Sequence, residues 1–203
     1  MTALKRGLLV AFAAAWCACP VARAQQLVNP SFEEPETDTD NEWGDLAAGW
    51  RRWGNWMNRE SQWVPTRSGN CLMGYHHWRI EENNPSGFFQ DVPGIPDGTL
   101  CQFSIFVFRD DQTDADSVEL RLERLGGFET LASQVFYMDD IRRKAWGILT
   151  VSGRTKGEGV RVLVIVTPKQ AGGRQGAIKF DDAELLLDPT AEPKEPAEEP
   201  AKK

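Results

Sequence analysis

Histidine is nearly absent from this chain: there are two, His76 and His77, and they are adjacent. Successive residues of a strand point to opposite faces. The pair therefore cannot share one metal ion, and no third imidazole exists to complete a zinc or copper shell. Positive charge is also scarce, with 23 Lys and Arg against 30 Asp and Glu. Lys5, Arg6 and Arg23 are the only charges in the first 24 residues, so beyond them the net charge moves from −7 to −10. That balance argues against nucleic acid and anionic membranes, both of which need a basic surface. Missing too are the GxSxG elbow, a Cys/His pair with local support and a phosphate-cradling glycine loop. No internal repeat and no long amphipathic helix can be found. Past residue 24 no apolar run approaches the ~20 residues of a membrane-spanning helix.

What the N-terminus does contain is a basic start, a short apolar run at 7–15 (GLLVAFAAA) and the small-x-small triplet Ala22-Arg23-Ala24. This pattern predicts a signal peptide over 1–24, cleavage after Ala24, and a secreted or periplasmic protein. The other end, 188–203 (DPTAEPKEPAEEPAKK), holds four prolines and almost nothing to bury. It is expected to be a disordered Pro/Glu-rich tail or spacer, and a protein partner could be reached through it. Residues 25–187 remain as one domain. Two cysteines fall inside it, Cys71 and Cys101. In an oxidising compartment they form either a disulfide or two buried apolar thiols, and spacing alone leaves both readings open.

Short β-type runs separated by turn residues fill that domain, at 26–33, 70–75, 87–92, 99–109, 117–125, 129–136, 145–152, 160–167 and 177–187. In SVELRLERL, Val118, Leu120 and Leu122 alternate with Glu119, Arg121 and Glu123, the period of a half-buried strand. Pro93-Gly94, Pro96-Asp97-Gly98 and Gly126-Gly127 supply turns. About nine strands at this spacing predict an all-β sandwich of jelly-roll type.

The segments LVNPSFEEP, Gly49-Trp50, GFFQDVPGIPDGTLCQFSIFV, AWGILTVSG and IKFDDAELL occur in the order and spacing of the galactose-binding-like jelly rolls. The chain resembles their carbohydrate-binding modules, especially families four, nine and twenty-two, over nearly all of 27–187. The resemblance implies a non-catalytic polysaccharide-binding module, with Trp50 and Trp146 in the core. It also implies a structural Ca2+ tying the first strand to the last, its ligands mapping onto Glu33 and Asp181 or Asp182. Alternation would send those two aspartates to opposite faces, so only one can be the ligand, and Asp181 is the one favoured. Nothing in the resemblance covers 53–78, the stretch in which such modules vary their ligands.

Six of the eight tryptophans lie between Trp43 and Trp78. An aromatic ring stacks on the C–H face of a sugar, burying large area at small entropic cost. With Arg, Asn and Gln interleaved, Trp53, Trp56, Trp63 and Trp78 form the expected carbohydrate-binding surface, joined by Tyr75, His77 and Arg52. The alternative is an extracellular or envelope interaction domain on the same scaffold. A glycan-active enzyme is the remote third reading, because acids are plentiful and the separation of a carboxylate pair is invisible in sequence.

Overall fold

The computed structural model describes residues 23–25, 27–36, 46–54, 57–61, 65–76, 84–110, 115–126, 128–169 and 177–188. Among these described residues, eleven antiparallel strands form two sheets. They are β1 (Arg23–Gln25), β2 (Arg51–Trp53), β3 (Met57–Glu60), β4 (Leu72–His76), β5 (Ser86–Pro93), β6 (Leu100–Arg109), β7 (Ala115–Arg124), β8 (Thr130–Tyr137), β9 (Trp146–Arg154), β10 (Gly159–Pro168) and β11 (Ala177–Asp188). One sheet runs β3-β4-β11-β6-β9, with β1 also paired to β11; the other runs β2-β5-β10-β7-β8. This is the expected all-β jelly-roll sandwich.

The core forms where the inner residues of the two sheets meet. β10 contributes Val160, Val162, Val164 and Val166, β7 contributes Val118, Leu120 and Leu122, and β6 contributes Phe103, Ile105 and Val107, all buried. Period-two alternation turns one face of each strand inward.

The first expected strand is not one. Residues 27–36 follow a chain of turns in which Asn29 and Phe32 adopt left-handed backbone, φ +49° and +60°. Asparagine tolerates this region because its short side chain bonds locally. Asn29 Nδ2 donates to the Glu34 carbonyl at 2.8 Å and the Ala48 carbonyl at 3.3 Å, while its Oδ1 accepts from Glu34 N–H at 3.1 Å. Gln90 clamps the same segment, its Oε1 accepting from Val28 N–H and its Nε2 donating to the Val28 carbonyl. Trp50 lies beneath as anticipated, 1% exposed, donating to the Asn29 carbonyl at 3.0 Å and packed on Phe32 and Phe88.

Two short strands, β2 and β3, arise inside the tryptophan-rich stretch, where none was foreseen. β1 crosses the expected cleavage position, with Arg23, Ala24 and Gln25 opposite Leu187, Leu186 and Leu185. Apart from Arg23 and Ala24, and from Asp188 at the end of β11, the expected signal segment and tail lie outside the described residues.

Candidate functional site

Of the expected aromatic surface, Trp56, Trp63, Trp78 and His77 lie outside the described residues. Trp53 ends β2 on the outer face of the five-stranded sheet, 37% exposed. Its indole lies over Gly87, where an added Cβ would come within 3.0 Å of the ring. Arg52, beside it, is a structural tie: one guanidinium nitrogen donates to the Met57 carbonyl at 2.6 Å and to Asn58 Oδ1 at 2.7 Å. It thereby staples β2 of one sheet to β3 of the other, and burial lowers its pKa. Tyr75 is fully buried. The Met57–Tyr75–Ile178 register row carries it into the core, so its ring is withdrawn from any surface ligand.

The opposite face has the more developed site. On β6, Phe103, Ile105 and Val107 point inward, which turns Phe106 and Phe108 outward, both half-buried. Register places Trp146 opposite Phe108 and Ile148 opposite Phe106. Trp146 therefore stands on the outer face, not in the core as the resemblance implied. Its ring centroid lies 5.6 Å from that of Phe108 at an interplanar angle of 55°. Ile148 is 55% exposed, and the Arg67 guanidinium lies 3.4 Å above the Phe106 ring. One cross-strand row runs Trp146, Phe108, Lys179, Gly74, Asn58 through all five strands of the path. Four inter-strand spacings make it about 19 Å long.

Lys179 has no exposed side-chain surface. Its ammonium meets the Glu60 carboxylate, and His76 Nε2 lies 2.6 Å from its Nζ and 2.5 Å from Glu60 Oε1. A Cβ on Gly74 would overlap that carboxylate, so glycine in the row leaves the seat in which Glu60 rests. Burial lowers the Lys179 pKa against the opposing charge of Glu60. Burial would raise that of Glu60, but the His76 hydrogen bond and the Lys179 charge outweigh it and hold it below the ordinary carboxylate value. The result is an ionised acceptor fixed over Gly74, two strands along the row from Phe108. Glu60 and Lys179 are 119 residues apart, and no local motif marks them.

Glu33 and Asp181 do meet one segment, residues 65–71, but through protein donors. Glu33 accepts from Asn70 and Cys71 N–H at 2.9–3.1 Å. Asp181, fully buried, accepts through Oδ2 from Arg67 N–H at 2.8 Å and Ser68 N–H at 3.1 Å, and through Oδ1 from Asp182 N–H. Burial pushes its pKa up to about 6, the Ser68 hydrogen bond opposing and the Asp182 charge adding. Alternation does not separate the two aspartates. A β-bulge between Asp181 and Glu184 puts Asp182 at φ +46°, and it too faces the segment, pairing with Arg67 and accepting from Ser68 Oγ at 2.6 Å. The adjacent carbonyls of Phe32 and Glu33 receive the Arg59 guanidinium at 2.7 and 2.5 Å. Calcium needs several hard oxygens facing one point, whereas this set faces N–H groups and a fixed cation. As arranged it does not fit the ion. Among the described residues no group of three His, Cys, Asp or Glu could hold a metal.

Cys71 and Cys101 are buried and not joined in a disulfide. Cys71 Sγ accepts from Arg59 at 2.9 Å, and Cys101, whose thiol burial pushes up to about 11, faces the Thr99 carbonyl. Of the two readings, the buried thiols hold. No helix among the described residues is long and apolar enough to cross a membrane.

No protein-family model matches the chain, and no curated protein matches it. Solved structures do. A Stig cyclase from Fischerella sp. TAU, in complex with (3Z)-3-(1-methyl-2-pyrrolidinylidene)-3H-indole, is 17% identical; the match covers 83% of this chain and 99% of that one, with a TM-score of 0.59. A CBM61 module in complex with β-1,4-galactotriose is 15% identical over 80% of this chain and 97% of that one, TM-score 0.54. An arabinose-bound GH51 α-L-arabinofuranosidase is 15% identical over 83% of this chain but 26% of its own, TM-score 0.57. At these identities the shared property is the fold: the chain is a jelly-roll β-sandwich of the kind found in a carbohydrate-binding module and in a cyclase alike.

Proposed function

We propose that the chain is an exported, non-catalytic carbohydrate-binding protein. Its polysaccharide or oligosaccharide ligand lies on the outer face of the six-stranded sheet. The observation that carries this reading is the cross-strand row in which Trp146 and Phe108 adjoin the Glu60–His76–Lys179 cluster. Sugar binding asks for apolar rings beside a few fixed polar groups, and the row supplies both on rigid strands. The sandwich shared with a galactotriose-binding module supports the reading. It moves the site from the tryptophan-rich loop to a sheet face to which that stretch contributes β3. The Pro/Glu-rich segment 188–203 then serves as a spacer to a partner.

Affinity electrophoresis against β-1,4-galactan, xylan, mannan and a β-glucan tests this. Retardation by at least one glycan is expected, abolished by Trp146→Ala and kept by Trp53→Ala, whose ring lies on the other sheet. Retardation lost in Trp53→Ala but kept in Trp146→Ala would return the site to the loop.

A further inference from the structure

We infer that Glu60, held in place by Lys179 and His76, is a hydroxyl-reading acceptor that selects neutral glycans over anionic ones. This inference rests on the binding reading above. Glu60 and His76 are 12% and 16% exposed, so each shows an edge at the surface, while Lys179 shows none. The lysine therefore touches no ligand and is a positioning residue. It holds one carboxylate oxygen, His76 Nε2 holds the other, and the vacancy of a side chain at Gly74 lets the carboxylate lie against the sheet.

An ionised carboxylate is acceptor-only, with about four lone-pair sites on its two oxygens. Lys179 and His76 engage one site on each oxygen, which leaves an acceptor direction on each. Two neighbouring sugar hydroxyls are donors that suit two acceptors fixed on one plane. The carboxylate of a uronate, or a sulfate ester, brings no donor at its own position and meets a like charge. The cluster offers such an anion no counter-charge, because the lysine is sealed beneath and paired with Glu60. Arg67, a described cation on this face, is paired with Asp182. The ring pair lies in the same row as Gly74, over which the Glu60 carboxylate leans. A sugar stacked on Trp146 and Phe108 thus turns its edge hydroxyls toward β11 and β4.

The full chain should be titrated with β-1,4-galactan, xylan and a β-glucan, and in parallel with polygalacturonate. Neutral glycan is expected to bind and polygalacturonate at least tenfold more weakly. Glu60→Gln should weaken neutral binding about tenfold or more, the scale of one hydrogen bond to a charged group. Glu60→Gln leaves the lysine charge buried and unpaired. Glu60→Gln/Lys179→Met removes both charges together and should lose neutral binding to the same extent, with a cooperative melting transition retained. Polygalacturonate binding as tightly as neutral glycan, or both variants binding within twofold of wild type while Trp146→Ala abolishes binding, would overturn this inference alone. Wild type binding none of the glycans would overturn the binding reading and this one with it.

Discussion

Replacing Arg59 by alanine removes the cation bonded to the carbonyls of Phe32 and Glu33, the second a residue to which the resemblance assigns a calcium ligand. Its guanidinium donates to the carbonyls of Phe32 and Glu33 and to Cys71 Sγ, from 2.5 to 2.9 Å. It thereby joins the N-terminal turns to β3 and to the start of β4. Hydrogen bonds from a charged donor contribute about 1.5–3 kcal/mol each. The site is half-buried and water can replace part of what is lost, so the two carbonyl bonds together are taken at about 3 kcal/mol. For a domain of this size each kcal/mol shifts Tm by roughly 2–4 °C, so Arg59→Ala should melt about 6–12 °C below wild type. The assay is a circular-dichroism melt in buffer, in EDTA and in millimolar CaCl2. Wild type should give one Tm in all three, because the oxygens that calcium would need already face Arg59 or backbone N–H. A wild-type Tm that falls by several degrees in EDTA would refute the reasoning. So would an Arg59→Ala variant that melts within 2 °C of wild type.

Two further outcomes follow from buried groups. Asp181 has a pKa of about 6 folded against 3.8 unfolded, so its ionised form is the destabilised one. The penalty is absent below about pH 4, grows as pH rises through 4–6 and reaches about 3 kcal/mol above pH 6. Acidifying from pH 7 to pH 5 should therefore raise Tm by roughly 3–5 °C, and Asp181→Asn should flatten that rise; a wild-type Tm that falls over the same interval contradicts it. For the cysteines, thiol titration of the chain from residue 25 onward, unfolded without reductant, should find both Cys71 and Cys101 reactive, with Tm unchanged by dithiothreitol. A count of zero would mean a bridge.

The sandwich was legible because most of its strands are long and alternate: β7 and β10 show their inner valines and leucines directly. Alternation failed where hydrogen-bonded side chains replace the ladder. Residues 27–33 look like a strand, yet Asn29 satisfies the backbone from its side chain and frees the segment to turn. It failed again at Asp181 and Asp182, where one extra residue in β11 rotates both carboxylates toward 65–68. A bulge is set by what the partner strand and the covering loop require, and neither lies within the local window.

The site was harder to read for a related reason. Tryptophan density drew attention to 50–63, but a count of rings says nothing of the face they occupy: Trp50 is sealed in the core and Trp53 lies on the far sheet. The more useful signal was FSIFVF, which is apolar at both parities. A strand with one face in the core needs apolar residues at every second position only, so Phe106 and Phe108 had no inner place left. Outward aromatics on a central strand need either a covering layer or a ligand. Part of the cover is visible, Arg67 over Phe106 and Trp146 against Phe108. Lys179 on the next strand carried the same message, as a charge between Ile178 and Phe180, both buried. A lysine buried there must be met by an acid, and that acid, Glu60, comes from β3 within the segment that the aromatic count had assigned to the ligand surface.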